Sequence, residues 1–429
     1  LGTNMVGVYW SDGTKNDSGL YVASTTSTTV EVTSDQEEFS WSEWYNYVKI
    51  DGTDDSKTSR WANAKSLADG SYFVWIPRYE YKILSGEHTS TAGEIDVQFI
   101  NTSVTTENKE GYKIHPAFTT NLQLGGWDSE IPGIWVAKYE MSMEETADSG
   151  KTWSNIEVAK NTGNKIISNT VRAVSKPSQC AWNYITITNC FDNSLNYSTQ
   201  QSTGSNSHLM KNSEWGAVAY LTQSKYGRNN HEISINSYNK DSTNYAKITG
   251  VGGSSADNKY NTTNGMNAST TGNLYGIYDL SGGNWEYTSV LYSKYYSKYT
   301  NGNGTALYTH TANGKYAKDV DGSQLPANSS KYVTIYPIDT TITGDDGSMD
   351  MHYSKWSEIY GDAIYETSSQ CGSNTSWYGD RADQDSGSES FCLRGGDCWR
   401  GAEAGAFAFA DYGGYADYFC GYRVVLVCE

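Results

Sequence analysis

The sequence predicts an α+β protein built from short strands, few helices and long polar loops. Three observations carry that expectation. Residues 73–82 and 134–141 each place a Trp before apolar residues and then a basic residue followed by Tyr-Glu. They read as related strands of one sheet, and two copies are too few for a solenoid. Residues 206–225 carry Trp215, Val218, Ala219 and Leu221 near helical spacing. Residues 424–427 form a short, continuous apolar run, suited to a strand buried on both faces.

Taken in order, residues 1–66 form a leading β-rich segment or small domain, with strand candidates at 6–10 and 30–32. The aromatic stretch 39–48 is expected to pack on the main body, residues 67–429. Pro77 marks an edge or a bulge in the first strong strand. Residues 84–131 are mostly loop, anchored by His115-Pro-Ala-Phe118. A short helix is expected over 186–195. The helix over 206–225 is expected to be capped by Asn212 or Ser213 and stopped at Tyr226-Gly227. Polar insertions follow at 228–270 and 289–355. Residues 406–409 alternate Ala and Phe, the period of a strand with one large-residue face.

The chain has 429 residues, a formal charge of −18, 14 Trp and 35 Tyr. Aromatics at that density supply core and contact area on few side chains. The acidic balance argues against a nucleic-acid or anionic-membrane partner, since both need clustered Lys and Arg. There is no direct membrane span, because no run of about 18 apolar residues occurs. None of the seven Cys forms a C-x-x-C pair, so a zinc ribbon is not expected.

Catalytic patterns are absent. The six His are scattered without H-E-x-x-H, and neither a Walker loop nor a G-x-S-x-G elbow occurs. Residues 345–350 lack the ligand spacing of a calcium loop. Glu80 and Glu140 read as structural carboxylates rather than a glycosidase pair. His115 and His208 read as loop or cap residues. No cofactor and no metal site are expected.

The C-terminal stretch carries most of the functional information. Arg394-Gly-Gly, Ala404-Gly-Ala-Phe-Ala-Phe409 and Gly421-Tyr-Arg-Val-Val-Leu426 form an ordered frame. Between them stand Asp397, Cys398, Trp399, Arg400, Glu403, Asp411, Tyr412, Tyr415, Asp417, Tyr418, Phe419 and Cys420, which share no period and no chemical type. This layout resembles the variable region of retroelement-diversified proteins, with Tyr422 where that family's frame has Phe. Residues 135–140, 211–215 and 273–286 add to the likeness. With the C-terminal frame they stand in the order of the formylglycine-generating-enzyme branch of the C-type-lectin fold.

The resemblance implies a C-type-lectin fold with two helices and short twisted antiparallel sheets, ending in a solvent-facing variable surface over 394–423. It implies recognition of an unknown protein or glycan on another cell or surface. The setting would be extracellular, on a bacterial cell surface or a phage virion. The twelve interspersed residues would make the contact, as the Tyr-rich mixture of an antibody paratope does. Trp399 is read first as a core residue beneath that surface and second as an exposed hot spot. Cys398 and Cys420 are either accidents of diversification or a bridge. The alternatives are a non-diversified adhesin and a divergent formylglycine-type oxidase. The oxidase needs two Cys a few residues apart after Arg-Gly-Gly, and here only Cys398 is near. In the relatives, the segment matching Gly282-Gly283-Asn284-Trp285-Glu286 supplies oxygen to calcium. Here Gly283 replaces a ligand; Asn284 and Glu286 still offer oxygens, but Trp285 and Tyr287 read first as core and Glu286 as a loop cap.

Overall fold

The computed structural model describes residues 4–11, 28–32, 61–147, 152–201, 205–292, 316–318, 324–326, 329–337, 349–383 and 391–427. The aromatic stretch 39–48, most of the insertion 289–355 and Cys428 lie outside the described residues. What is described is a mixed α/β arrangement of several small sheets and few helices.

The largest sheet has seven strands. In chain order they are β1 (Met5–Ser11), β2 (Thr28–Val32), β3 (Asn63–Ser66), β4 (Tyr72–Pro77), β5 (Gly133–Ala137), β6 (Asn206–Leu209) and, at the C-terminus, Val424–Val427. Their spatial order is β6, Val424–Val427, β5, β4, β3, β1, β2. The described strands before residue 67 therefore continue the main sheet. The expected partnership of the two Trp strands is present: β4 pairs antiparallel with β5, with Trp75 opposite Trp135.

Period-2 patterning divides this sheet between two cores. Phe73, Trp135, Ala137, Val424 and Leu426 face one. Val74, Ile76, Ile134, Val136, Val425 and Val427 face the other. One helix covers each face. Helix α1 (Ile187–Gln201) places Ile187, Cys190, Phe191 and Tyr197 in the first core. Helix α2 (Asn212–Gln223) places Trp215, Val218 and Leu221 in the second.

Several expected boundaries move. The first strong strand ends at Pro77, which lies in a central strand rather than at an edge. Proline has no amide hydrogen to extend the ladder, and Tyr79–Ile83 joins a different sheet. The expected 206–225 helix is β6 followed by α2. Its N-cap is Lys211, not Asn212 or Ser213, and the Lys211 amide donates to Glu214 Oε2 at 2.9 Å. His208 is a strand residue whose Nε2 meets Glu214 Oε1 at 2.8 Å in the core. His115 is a cap, accepting the Ala117 amide.

Candidate ligand-binding surface

A four-stranded sheet carries the C-terminal region. Its members are β7 (Trp285–Thr288), β8 (Phe391–Arg394), β9 (Phe409–Tyr412) and β10 (Cys420–Tyr422); the closing strand Val424–Val427 is β11. The order is β9, β8, β7, β10, with β7 and β10 parallel. Trp285 lies opposite Cys420 and Arg394 opposite Phe409, so residues 395–408 leave the sheet at that end. Residues 413–419 run from the far end of β9 back along the sheet to Cys420. The strand expected over 406–409 begins only at Phe409, because Ala406 and Phe407 enter one core, Ala408 a second and Phe409 a third.

The frame residues have buried tasks. Arg394 donates to the carbonyls of Asp362, Ala363 and Ala408 at 2.8, 2.9 and 3.1 Å. Gly396 has φ +75°, and a Cβ there would lie 2.6 Å from Ala404 Cα. Arg423 forms a two-pronged ion pair with Glu286 at 2.5 and 3.0 Å, both side chains excluded from solvent. Glu286 is thus an ion-pair partner and not a loop cap, while Trp285 and Tyr287 are core. Burial pushes the Glu140 carboxyl well above its ordinary range, and neighbouring Glu286 adds to the rise. Glu140 accepts from the Asn284 amide at 2.7 Å and from its side chain at 2.9 Å.

The segment 414–419 is held by its backbone. The Gly414 carbonyl accepts from the Ile187 amide at 3.2 Å. The Tyr415 carbonyl accepts from the Tyr287 hydroxyl at 2.9 Å. Tyr184 N–H reaches the Asp417 carbonyl at 2.8 Å, and Trp285 N–H the Phe419 carbonyl at 2.8 Å. Lys247 Nζ and Asn183 Nδ2 converge on the Tyr418 carbonyl at 2.7 and 2.9 Å. Every one of these donors lies outside the segment, and every acceptor is an atom that all amino acids share.

The side chains make a continuous aromatic surface. Tyr415 meets Tyr412 edge-on, and Tyr412 meets Phe419, which meets Tyr418. Tyr418 stacks on Tyr245 with ring centroids 4.2 Å apart. Trp399 stands edge-on to both Tyr245 and Tyr418. Lys247 Nζ lies 4.6 Å from the Trp399 ring centroid. Asp417 accepts from the Tyr412 hydroxyl at 2.7 Å, and Asp397 from the Trp399 amide at 2.8 Å.

Of the twelve residues expected at the surface, Trp399, Arg400 and Tyr415 are exposed; Trp399 is 47% and Tyr415 54% accessible. The first reading of Trp399, as core, therefore does not hold: its indole is exposed. Glu403, Asp411, Tyr412, Asp417, Tyr418 and Phe419 are half-buried. Asp397, Cys398 and Cys420 are buried and do not join the display. Asp397 folds back on its own turn, the Cys398 amide donates to the Gly283 carbonyl, and Cys420 pairs in β10 next to Cys190 and Tyr287. The six described cysteines are unbridged, so Cys398 and Cys420 form no bridge here. Burial pushes the Cys398 thiol up to about 12, against the pull of Lys247.

Tyr245, Lys247, Asn183 and Tyr184 were not legible as site residues. Tyr245 and Lys247 fall in what reads as a polar connection, and Ala246–Lys247 pairs with Asn239–Asp241 as a small hairpin. The only signal was an aromatic and a cation flanking Ala in that polar stretch.

No family model and no curated protein matches the chain. A solved structure titled Major Tropism Determinant I1 Variant is similar at 13% identity and a TM-score of 0.30, over 100% of this chain and 73% of that one. No described helix is long and apolar enough to cross a membrane.

Proposed function

We propose that this chain is a non-enzymatic recognition protein with a C-type-lectin fold. Its C-terminal segment displays a diversified surface to a protein or glycan on another cell. It works outside the cell, on a bacterial surface or a phage virion. The observation that carries the reading is the carbonyl grip on residues 414–419. Donors outside the segment hold its course, so the side chains of Tyr415, Asp417 and Tyr418 are exchangeable without refolding. Aromatic rings on such a rigid support give contact area at low entropic cost. Thiol chemistry of the oxidase kind needs accessible, low-pKa cysteines. Cys398 and Cys420 are buried with raised pKa, which favours binding over catalysis.

The test is the DNA around the gene. The expected finding is an imperfect copy of the segment encoding the C-terminus, beside a reverse-transcriptase gene. Its differences should fall at adenines in the codons for Trp399, Arg400, Tyr412, Tyr415, Asp417, Tyr418 and Phe419. Sibling genes invariant at these codons would overturn diversification.

A further inference from the structure

The aromatic surface does not end where the C-terminal segment ends. Tyr245, from the hairpin that precedes it by some 150 residues of sequence, stacks on Tyr418 and meets Trp399 at an interplanar angle of 83°. The three rings form a corner whose outer wall is the exposed indole. At its base lies Lys247, buried, with its ammonium 4.6, 5.8 and 5.9 Å from the Trp399, Tyr418 and Tyr245 ring centroids.

We propose that Tyr245, with Lys247, is the constant part of a subsite on the ligand surface, and that the corner it builds here with Trp399 and Tyr418 takes a neutral apolar side chain from a polypeptide target. The proposal rests on the binding function above and names its partner class. Two observations select the chemistry. First, Lys247 already occupies the place from which a cation is attracted to these rings, so a Lys or Arg from a partner would meet a like charge. Second, the two carboxylates and the backbone groups around the corner are engaged internally. Asp397 holds the Trp399 amide, Asp417 holds the Tyr412 hydroxyl and the Tyr418 amide, and the Tyr418 carbonyl holds Lys247 and Asn183. A glycan needs partners for many hydroxyls, and apart from the Tyr245 and Tyr418 phenols and the exposed Arg400 these groups have little left to offer. An aliphatic or aromatic side chain needs only ring faces. Tyr245 thus contributes the same wall whatever residues stand at 399 and 418.

A displayed random-peptide library selected on the whole chain tests this. Roughly 0.5 M salt screens the protein's negative charge during selection. The expected result is enriched peptides sharing a neutral apolar residue. They should bind Tyr245→Ala and Trp399→Ala at least about tenfold more weakly, and Tyr245→Phe nearly as well as the parent. Unchanged melting of Tyr245→Ala keeps lost folding apart from lost contact; if that variant melts early, Tyr245→Phe and Tyr245→Leu compared at one temperature replace it, with Leu expected to be the weaker. Binding lost in Trp399→Ala and unchanged in Tyr245→Ala overturns the constant subsite while the binding function stands. Enriched peptides that require Lys or Arg overturn the stated chemistry. Glycan-array binding abolished by Trp399→Ala overturns the polypeptide partner. No enrichment, or binders insensitive to both variants, overturns the subsite together with the reading beneath it.

Discussion

Lys247 Nζ donates to the backbone oxygen of Tyr418 across 2.7 Å, so the contact survives any substitution at 418. Lys247→Met should leave that oxygen with Asn183 alone. The expected destabilisation is about 1.5 kcal/mol, the low end for a charged hydrogen bond, because the change also removes a buried cation. Hydrogen exchange should rise across 414–420 and stay unchanged in β4 and β5. Exchange that is unaltered at 414–420 would remove Lys247 from the grip.

Substitution tolerance should differ sharply between neighbouring positions. Tyr415→Ser and Arg400→Asn alter exposed side chains and should shift stability by no more than about 0.5 kcal/mol. Cys420→Tyr forces a large phenol into the packed region beside Cys190 and Tyr287 and should cost about 1–3 kcal/mol or prevent folding. Denaturant midpoints of the three variants measure the contrast.

Among the described residues Arg423 forms its ion pair with Glu286, and both are fully enclosed. Glu286→Ala strands a buried guanidinium and should lower stability by about 3–5 kcal/mol. Urea unfolding checks the loss; a change under 1 kcal/mol would show that water reaches Arg423.

Gly283 has φ +77°, and a Cβ there would lie 2.4 Å from Glu140 Oε1. Gly283→Ala should therefore cost about 1–3 kcal/mol through backbone strain alone, with the clash added. A thermal melt within 1 °C of the parent would contradict this.

Burial pulls the His115 imidazole down to about 3 from its ordinary 6.5. The unfolded chain takes up the proton first, so the contribution is complete above 6.5 and is lost as pH falls from there toward 3. The stability of the parent should drop by about 1.4 kcal/mol per pH unit relative to His115→Gln within that window. Parallel stability–pH curves for the two proteins would refute it.

The strands were readable because their signals are local. Phe73-Val-Trp-Ile and Val424-Val-Leu-Val are continuous apolar runs, and both became central strands of a sheet with a core on each face. Helix α2 was readable from Trp215, Val218 and Leu221, but its start was not. Asn206–Leu209 is a strand because β11 offers it a ladder, a partner more than two hundred residues away. The exposed rings Trp399 and Tyr415 fell within the stretch marked by irregular composition. The buried fates of Asp397, Cys398 and Cys420 did not show there, since irregular composition says nothing of depth.

By itself, then, the sequence determined the mixed α/β class, the two Trp strands, the closing strand and the place along the chain where residues of no common period or type gather. Those follow from periodicity and composition, which act between near neighbours. Tertiary structure decided which of the gathered residues reach solvent, and it brought Tyr245, Lys247 and Asn183 to Tyr418. Such meetings depend on how distant segments pack, and packing is set by shape and burial across the whole sheet rather than by spacing along the chain.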